Sequence, residues 1–215
     1  MTPDAEATGN PWITIWTRPR ATIRRIVETD VHYRVVFLAM LAGALSRLET
    51  RWALVPGTPG SAAFPMLVVF SVVIGAIAGI IGLYINGVLL KWSGSMLGGI
   101  ATYADVRAAL AWAEVPVIVA VSIGILSILI GTGGPLMPFG GSGADTSLSV
   151  SLLHAVFGIW SFILVLKCVG EVHRFSAWRA LAAIVLVAVA IVIVLAILIL
   201  FAGGVSRLMH PVVTV

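Results

Sequence analysis

Residues 86–116 read NGVLLKWSGSMLGGIATYADVRAALAWAEVP. Apolar runs close on this stretch from both sides. Between them stands a short polar connection with Lys91, the Gly98-Gly99 pair, Asp105 and Arg107, and Glu114 follows just inside the next run. A connection of this kind joins two membrane-spanning helices. It predicts an all-α, polytopic membrane protein.

Composition leads to the same class. The 215 residues are 60% hydrophobic and 10% charged, with a mean hydropathy of +1.11. Soluble domains carry roughly 45–50% apolar and about 25% charged residues, so a water-soluble globule is excluded. A net charge of +4 and a pI near 9.8 could suit nucleic acid. The arginines flank apolar spans, however, so they orient the chain in a bilayer, and no nucleic-acid partner is expected. A single cysteine, Cys168, excludes an intramolecular disulfide and a multi-cysteine metal site.

Five spans are predicted, at about 32–54, 64–92, 108–131, 148–169 and 180–203. A helix needs roughly 20 residues to cross the hydrocarbon core, and the last four satisfy this. The first is marginal: its unbroken apolar run, Val35 to Leu45, covers only ~16 Å. It crosses if Tyr33 and Arg34 sit at one interface while Arg47 and Arg51 snorkel into the other. With five crossings and a cytoplasmic N-terminus, the 13 Lys and Arg divide 10 inside to 3 outside. If the first run only dips into the bilayer, the split falls to 8 to 5. The positive-inside rule therefore favours five spans, with the C-terminus extracytoplasmic.

No apolar stretch before residue 30 suits a cleavable signal peptide, and residues 1–9 are expected to be disordered. Asn10-Pro11 then reads as a helix start, with Asn as cap and Pro in the first turn. Trp12, Ile15 and Trp16 share one helical face, and Ile23, Ile26 and Val27 share another opposite Arg20, Arg24 and Arg25. We expect residues 1–30 to form a basic amphipathic segment with its rings at headgroup level and its cations toward anionic lipid. A helix packed beneath the membrane domain is the alternative. Residues 31–215 form the membrane domain.

The outside loops are expected at 55–63, rich in Pro and Gly, and at 131–147, rich in Gly. Neither has the lysine of a phosphate-binding loop. Thr102 and Asp105 make a capping box, and Ser176 can cap the last span. In the second span Gly75, Gly79 and Gly82 form a stripe that lets a neighbouring backbone approach. A span of the same chain is the expected partner, and a second copy in a homo-oligomer is the alternative.

Ionisable groups inside a membrane are functional candidates. Glu114 lies about two turns beyond Arg107, and Pro116 frees a carbonyl beside it. Such a carboxylate could bind a cation, shuttle a proton or anchor a partner, or it could pair with Lys91, Arg107 or a loop arginine and brace the bundle. Asn86 suits an interhelical hydrogen bond, and His154, without a partner at metal spacing, an interior one. Arg174, in the loop with Glu171 and His173, is a candidate partner contact. No catalytic set, metal site or cofactor motif can be assembled from these residues.

The early NPWITIWTRPR, the LLKWSGSMLGGIATYADVRAALAWAEVP connection and the later VGEVHRFSAWRALA loop resemble the Yip family (Ypt-interacting protein domain) of small five-span membrane proteins. The likeness runs over residues 10–203 and is nearest to the bacterial branch. It implies a bacterial inner-membrane protein without catalytic residues. Eukaryotic members are implicated in recruiting Rab-type GTPases through a long N-terminal region; here the tail is short and basic, so that role is not carried over.

Two functions follow as expectations. The first is a non-enzymatic membrane organiser or adaptor that contacts lipid and holds a protein partner on its cytoplasmic face. The second is a small transporter or channel, or an accessory subunit of one, with Glu114 near the pathway.

Overall fold

The computed structural model describes residues 9–54, 64–129 and 144–209, with side chains described for 9–48, 65–126 and 152–201. The expected loop at 55–63, most of that at 131–147 and the tail of residues 1–8 lie outside the described residues. Everything described is helix, turn or short connection. The helices are α1 (Pro11–Thr17), α2 (Pro19–Thr29), α3 (Val35–Leu54), α4 (Phe64–Met96), α5 (Tyr103–Ala113), α6 (Val115–Leu129), α7 (Ala144–Val172) and α8 (Ala177–Met209). The chain is thus an all-helical, polytopic membrane protein.

Four stretches are long and apolar enough to cross a bilayer: Pro65–Met96, Tyr103–Leu126, Leu152–Val172 and Ala177–Phe201. The marginal first span is a helix, but its apolar part, Val35–Leu48, is shorter than those four. The helix gains length by running on through Arg47, Glu49 and Arg51, reaching 20 residues, about 30 Å at the α-helical rise. The polar connection is shorter than expected. α4 continues past Lys91 to Met96, and α5 begins at Tyr103, so only residues 97–102 link them.

Local chemistry explains the boundaries. Asn10 accepts a hydrogen bond from the Trp12 backbone N–H at 3.1 Å, and Pro11 opens α1. Arg18 breaks the chain before Pro19 restarts it as α2, the residue before proline being held out of the helical region. Asp30 accepts from the His32 N–H at 3.0 Å, and Arg34 turns the chain into α3 with a φ of 54°. Thr102 accepts from the Asp105 N–H at 3.2 Å while Asp105 accepts from the Thr102 N–H at 2.8 Å, a closed capping box.

α3 and α4 form the tightest pair. A Cβ on Gly43 would strike the Gly75 carbonyl oxygen, one on Gly75 the Gly43 carbonyl, and one on Gly79 the Ala39 carbonyl. The two backbones touch along this line, the close approach that small residues permit in lipid. Gly43, absent from the predicted stripe, is the counterpart. Gly82 stands apart, since a Cβ there would meet nothing within 4 Å.

α5 and α6 are one apolar stretch broken at Glu114, and this stretch is the most buried of the four. Pro116 has no N–H to give to the Trp112 carbonyl. The next carbonyl, Ala113, instead accepts the Ser161 hydroxyl of α7 at 2.5 Å. A neighbouring helix thus satisfies the opened backbone, as a break at membrane depth requires. Trp112 is the hub below the break: fully buried, edge-on to Trp12, stacked on Tyr33 and donating its Nε1–H to the Tyr33 carbonyl at 3.3 Å.

The tryptophans of α1 turn toward the bundle. Trp12 packs on Trp112 and Trp16 on Phe157 of α7, while Ile15, Ile23 and Ile26 join the same core as Leu38, Trp112 and Leu164. The apolar stripe of the amphipathic segment is spent on protein, and the segment caps one end of the bundle. The physical reason is that burying three isoleucines, each stabilising by about 1.5–3 kcal/mol, requires a preformed apolar seat, which α5 and α7 offer. The basic residues remain on the outer face, with Arg20, Arg24 and Arg25 exposed. α8 is the least buried span: its described residues from Ile191 to Phe201 are exposed on every side, a surface suited to lipid.

Candidate functional site

The six polar or break-forming candidates do not gather in one site. Asn86 and Glu114 come together. They line a cleft of about 420 Å³ between α3, α4 and α5, with Ser46, Gly43, Gly79, Gly82, Leu110 and Ala111 among its walls. Glu114 closes the last turn of α5, where the helix carbonyls collect partial negative charge. Pro116 is buried just beyond it and creates the break.

Asn86 does not bridge helices. Its Nδ2 donates to the Gly82 carbonyl of its own helix at 2.9 Å, because the cleft keeps α3 and α5 away from its side chain. That bond leaves the amide oxygen of Asn86 as an acceptor. The expected pairing of Glu114 with Lys91 or Arg107 is not formed either. Arg107 lays its stem against Gly87 and its guanidinium over the Tyr84 ring at 4.4 Å. Lys91 stands over the Tyr103 ring at 5.1 Å. Both cations are held by aromatic faces, and the Glu114 carboxylate has no hydrogen-bond or ion-pair partner among the described residues.

Arg174 belongs to a second cavity, of about 620 Å³, at the end of the bundle capped by α1 and α2. Arg24, Val27, Glu28, Ile100, Asp105, Glu171 and Val172 line it with Arg174. Three elements meet there: α2, the 97–102 connection and the α7–α8 turn. The turn is made by Arg174 itself at a φ of 57°, with Phe175 N–H donating to the Gly170 carbonyl at 2.9 Å. Glu171 ties α2 to α7. Its Oε1 accepts from Arg24 Nε at 2.7 Å and from Arg24 Nη2, and Arg20 Nη1 lies 3.8 Å from Oε2. The Glu171 carboxylate raises the pKa of the Arg24 guanidinium, keeping it charged.

His154 sits on α7 and lines neither of these cavities. Beside the second cavity is a residue that the sequence left in a loop, His173. It is 1% exposed, lies flat on Phe175 at 5.0 Å and fills the space above Gly94 and Gly99. Burial pushes its pKa down and Lys91 adds to this, while the Leu90 carbonyl and Asp105 oppose it. The Leu90 carbonyl lies close enough to favour a protonated ring without meeting hydrogen-bond geometry.

Sequence reasoning did not single out Ser161 or Gly43, and it named Glu171 and His173 only as loop residues that build no catalytic motif. Only Gly43 carried a local signal, as a small residue on an apolar helix facing a glycine stripe. Among the described residues no group of three or more His, Cys, Asp or Glu could hold a metal ion.

No curated protein and no solved structure matches the chain. The family model described as the Yip1 domain matches residues 13–199, which takes in the cap, the cleft and the second cavity. On that match, over most of its length, the chain belongs to the Yip1 domain family.

Proposed function

We propose that this chain is a non-enzymatic organiser of the bacterial cytoplasmic membrane that holds a protein partner on its cytoplasmic face. In this reading residues 31–215 cross the bilayer five times, α3 included, with the N-terminus inside and the C-terminus outside. The helices α1 and α2, from the basic segment of residues 1–30, cap the bundle at the cytoplasmic end. The observation that carries the reading is the cavity lined by Arg24, Glu28, Asp105, Glu171 and Arg174. It is polar, it sits where three elements meet, and the Arg24–Glu171 pair holds two of them together. Scattered charged groups on a membrane protein orient it; charged groups of both signs around one concavity can also recognise a partner.

Crosslinking in membranes, followed by purification of the tagged chain, tests this. A stoichiometric partner should accompany the wild type and be lost from Arg174→Glu, with membrane insertion unchanged. Capture that survives reversal at both Arg107 and Arg174 would count against the reading.

A second reading has its own observation, the cleft that brings Glu114 and Asn86 together at a broken helix. Half-helix ends and freed carbonyls near the midplane are how transporters bind cations. Ion or solute flux in proteoliposomes that disappears in Glu114→Gln would favour a transport role over an adaptor.

A further inference from the structure

His173 lies where the α4–α5 connection crosses the α7–α8 turn. Its ring is buried, and neither Nδ1 nor Nε2 has a hydrogen-bond partner. A Cβ on Gly94 or Gly99 would collide with ring atoms, so the two glycines form a cradle shaped to the imidazole. The connection is fastened over the ring by Gly99 N–H to the Gly94 carbonyl at 2.8 Å and Ile100 N–H to the His173 carbonyl at 3.4 Å. Phe175 closes the other face, its ring within 3° of parallel.

A neutral imidazole carries one donor and one acceptor, and burying both unmet is unfavourable. A charged imidazolium has two donors and is far more costly to bury. The groups around it offset that cost only in part, and the Leu90 carbonyl, which favours the charged ring, makes no hydrogen bond to it. Lys91 on α4 repels it. Asp105 on α5 attracts it, but one carboxylate oxygen is engaged by the Thr102 N–H. Glu171 on α7 is taken by Arg24 of α2, and Arg174 in the turn is itself a cation. The closed arrangement therefore accepts the ring only when it is neutral.

We propose that His173 is a proton-operated latch: protonation of its ring releases the 97–102 connection from the α7–α8 turn and reshapes the cavity lined by Ile100, Asp105 and Arg174. The latch regulates the docking cavity and, in that role, rests on the reading given above. The folded ring has its pKa depressed, so the closed form is fully stable above the ordinary imidazole value of about 6.5. It loses stability as the pH falls below that value, where the open form binds the extra proton. Between pH 7.5 and 5.5 the open population rises by up to about tenfold.

Amide hydrogen exchange on the full chain in lipid nanodiscs, corrected for intrinsic rates, reads this directly at residues 99 and 100. Wild type should open several-fold more at pH 5.5 than at pH 7.5, up to about tenfold, and His173→Gln and His173→Phe, which cannot titrate, should not. An equal pH response in the variants, or none in wild type, overturns the latch. Should both variants misfold, titrating the labelled wild-type imidazole by NMR replaces them. A ring that protonates near 6.5 without any change in exchange also overturns it. Because opening is measured without a partner, the two readings fail separately. A pH-insensitive connection with Arg174-dependent capture removes the latch and leaves docking. A pH-gated connection with no captured partner leaves the latch and removes docking.

Discussion

Gly79 and Gly82 lie on one glycine stripe of one helix, yet the structure predicts opposite responses to the same methyl group. Replacing glycine by alanine within a helix is favourable by up to about 1 kcal/mol, because the backbone loses less freedom on folding. At Gly82 nothing opposes this gain, since the added Cβ meets no atom within 4 Å. Gly82→Ala should therefore be neutral or stabilising. At Gly79 the Cβ runs into the Ala39 backbone carbonyl, which cannot swing away as a side chain could. The α3–α4 pair must separate by roughly an ångström, and overpacking of this kind costs about 1–3 kcal/mol. Setting the clash against the propensity gain leaves Gly79→Ala about 0–2 kcal/mol less stable than wild type. The two variants should then differ by about 1–3 kcal/mol, roughly 2–12 °C in unfolding temperature for a chain of this size. Thermal unfolding followed by tryptophan fluorescence in one detergent or nanodisc preparation makes the comparison. Equal shifts for the two variants, or a larger loss at Gly82, would refute the backbone contact between α3 and α4.

Other residues give independent tests. Ser161→Ala leaves the Ala113 carbonyl unsatisfied beside the Pro116 break and should cost about 1–3 kcal/mol in unfolding measurements, with Ser161→Thr retaining most of it. Ile23→Ala removes a fully buried side chain and should cost about 2–5 kcal/mol, loosening the cap formed by α1 and α2. Cys168 reports that loosening, since its thiol is buried under α2 with its sulfur 4.0 Å from the Pro19 carbonyl; maleimide labelling should be slow in wild type and fast in Ile23→Ala. Glu171→Gln should cost less than about 1 kcal/mol and remove the salt dependence of cap docking, because Arg24 is largely exposed to screening solvent.

By itself the sequence determined what depends on neighbours along the chain. The lengths of the apolar runs set four helices able to cross a bilayer, and the Asn10-Pro11 start, the Thr102–Asp105 box and the Pro116 break all formed where local chemistry put them. The resemblance carried by the NPWITIWTRPR stretch and the two polar connections led to the Yip family, which the domain match shows. Tertiary structure decided which groups meet. Ser161 serves a carbonyl 48 positions away, Trp112 bonds a carbonyl 79 positions away, and Arg24 finds Glu171 across 147. No local pattern encodes such pairings. Glu114 could have met Arg107, two turns away on its own face, but the Tyr84 ring and the Gly87 gap gave the guanidinium a better seat. The amphipathic face of α1 and α2 was expected to meet lipid, with packing beneath the membrane domain as the alternative, because periodicity reports that a face is apolar and not what covers it. In the packed bundle Trp12 lies against Trp112 and Trp16 against Phe157, so protein covers that part of the face.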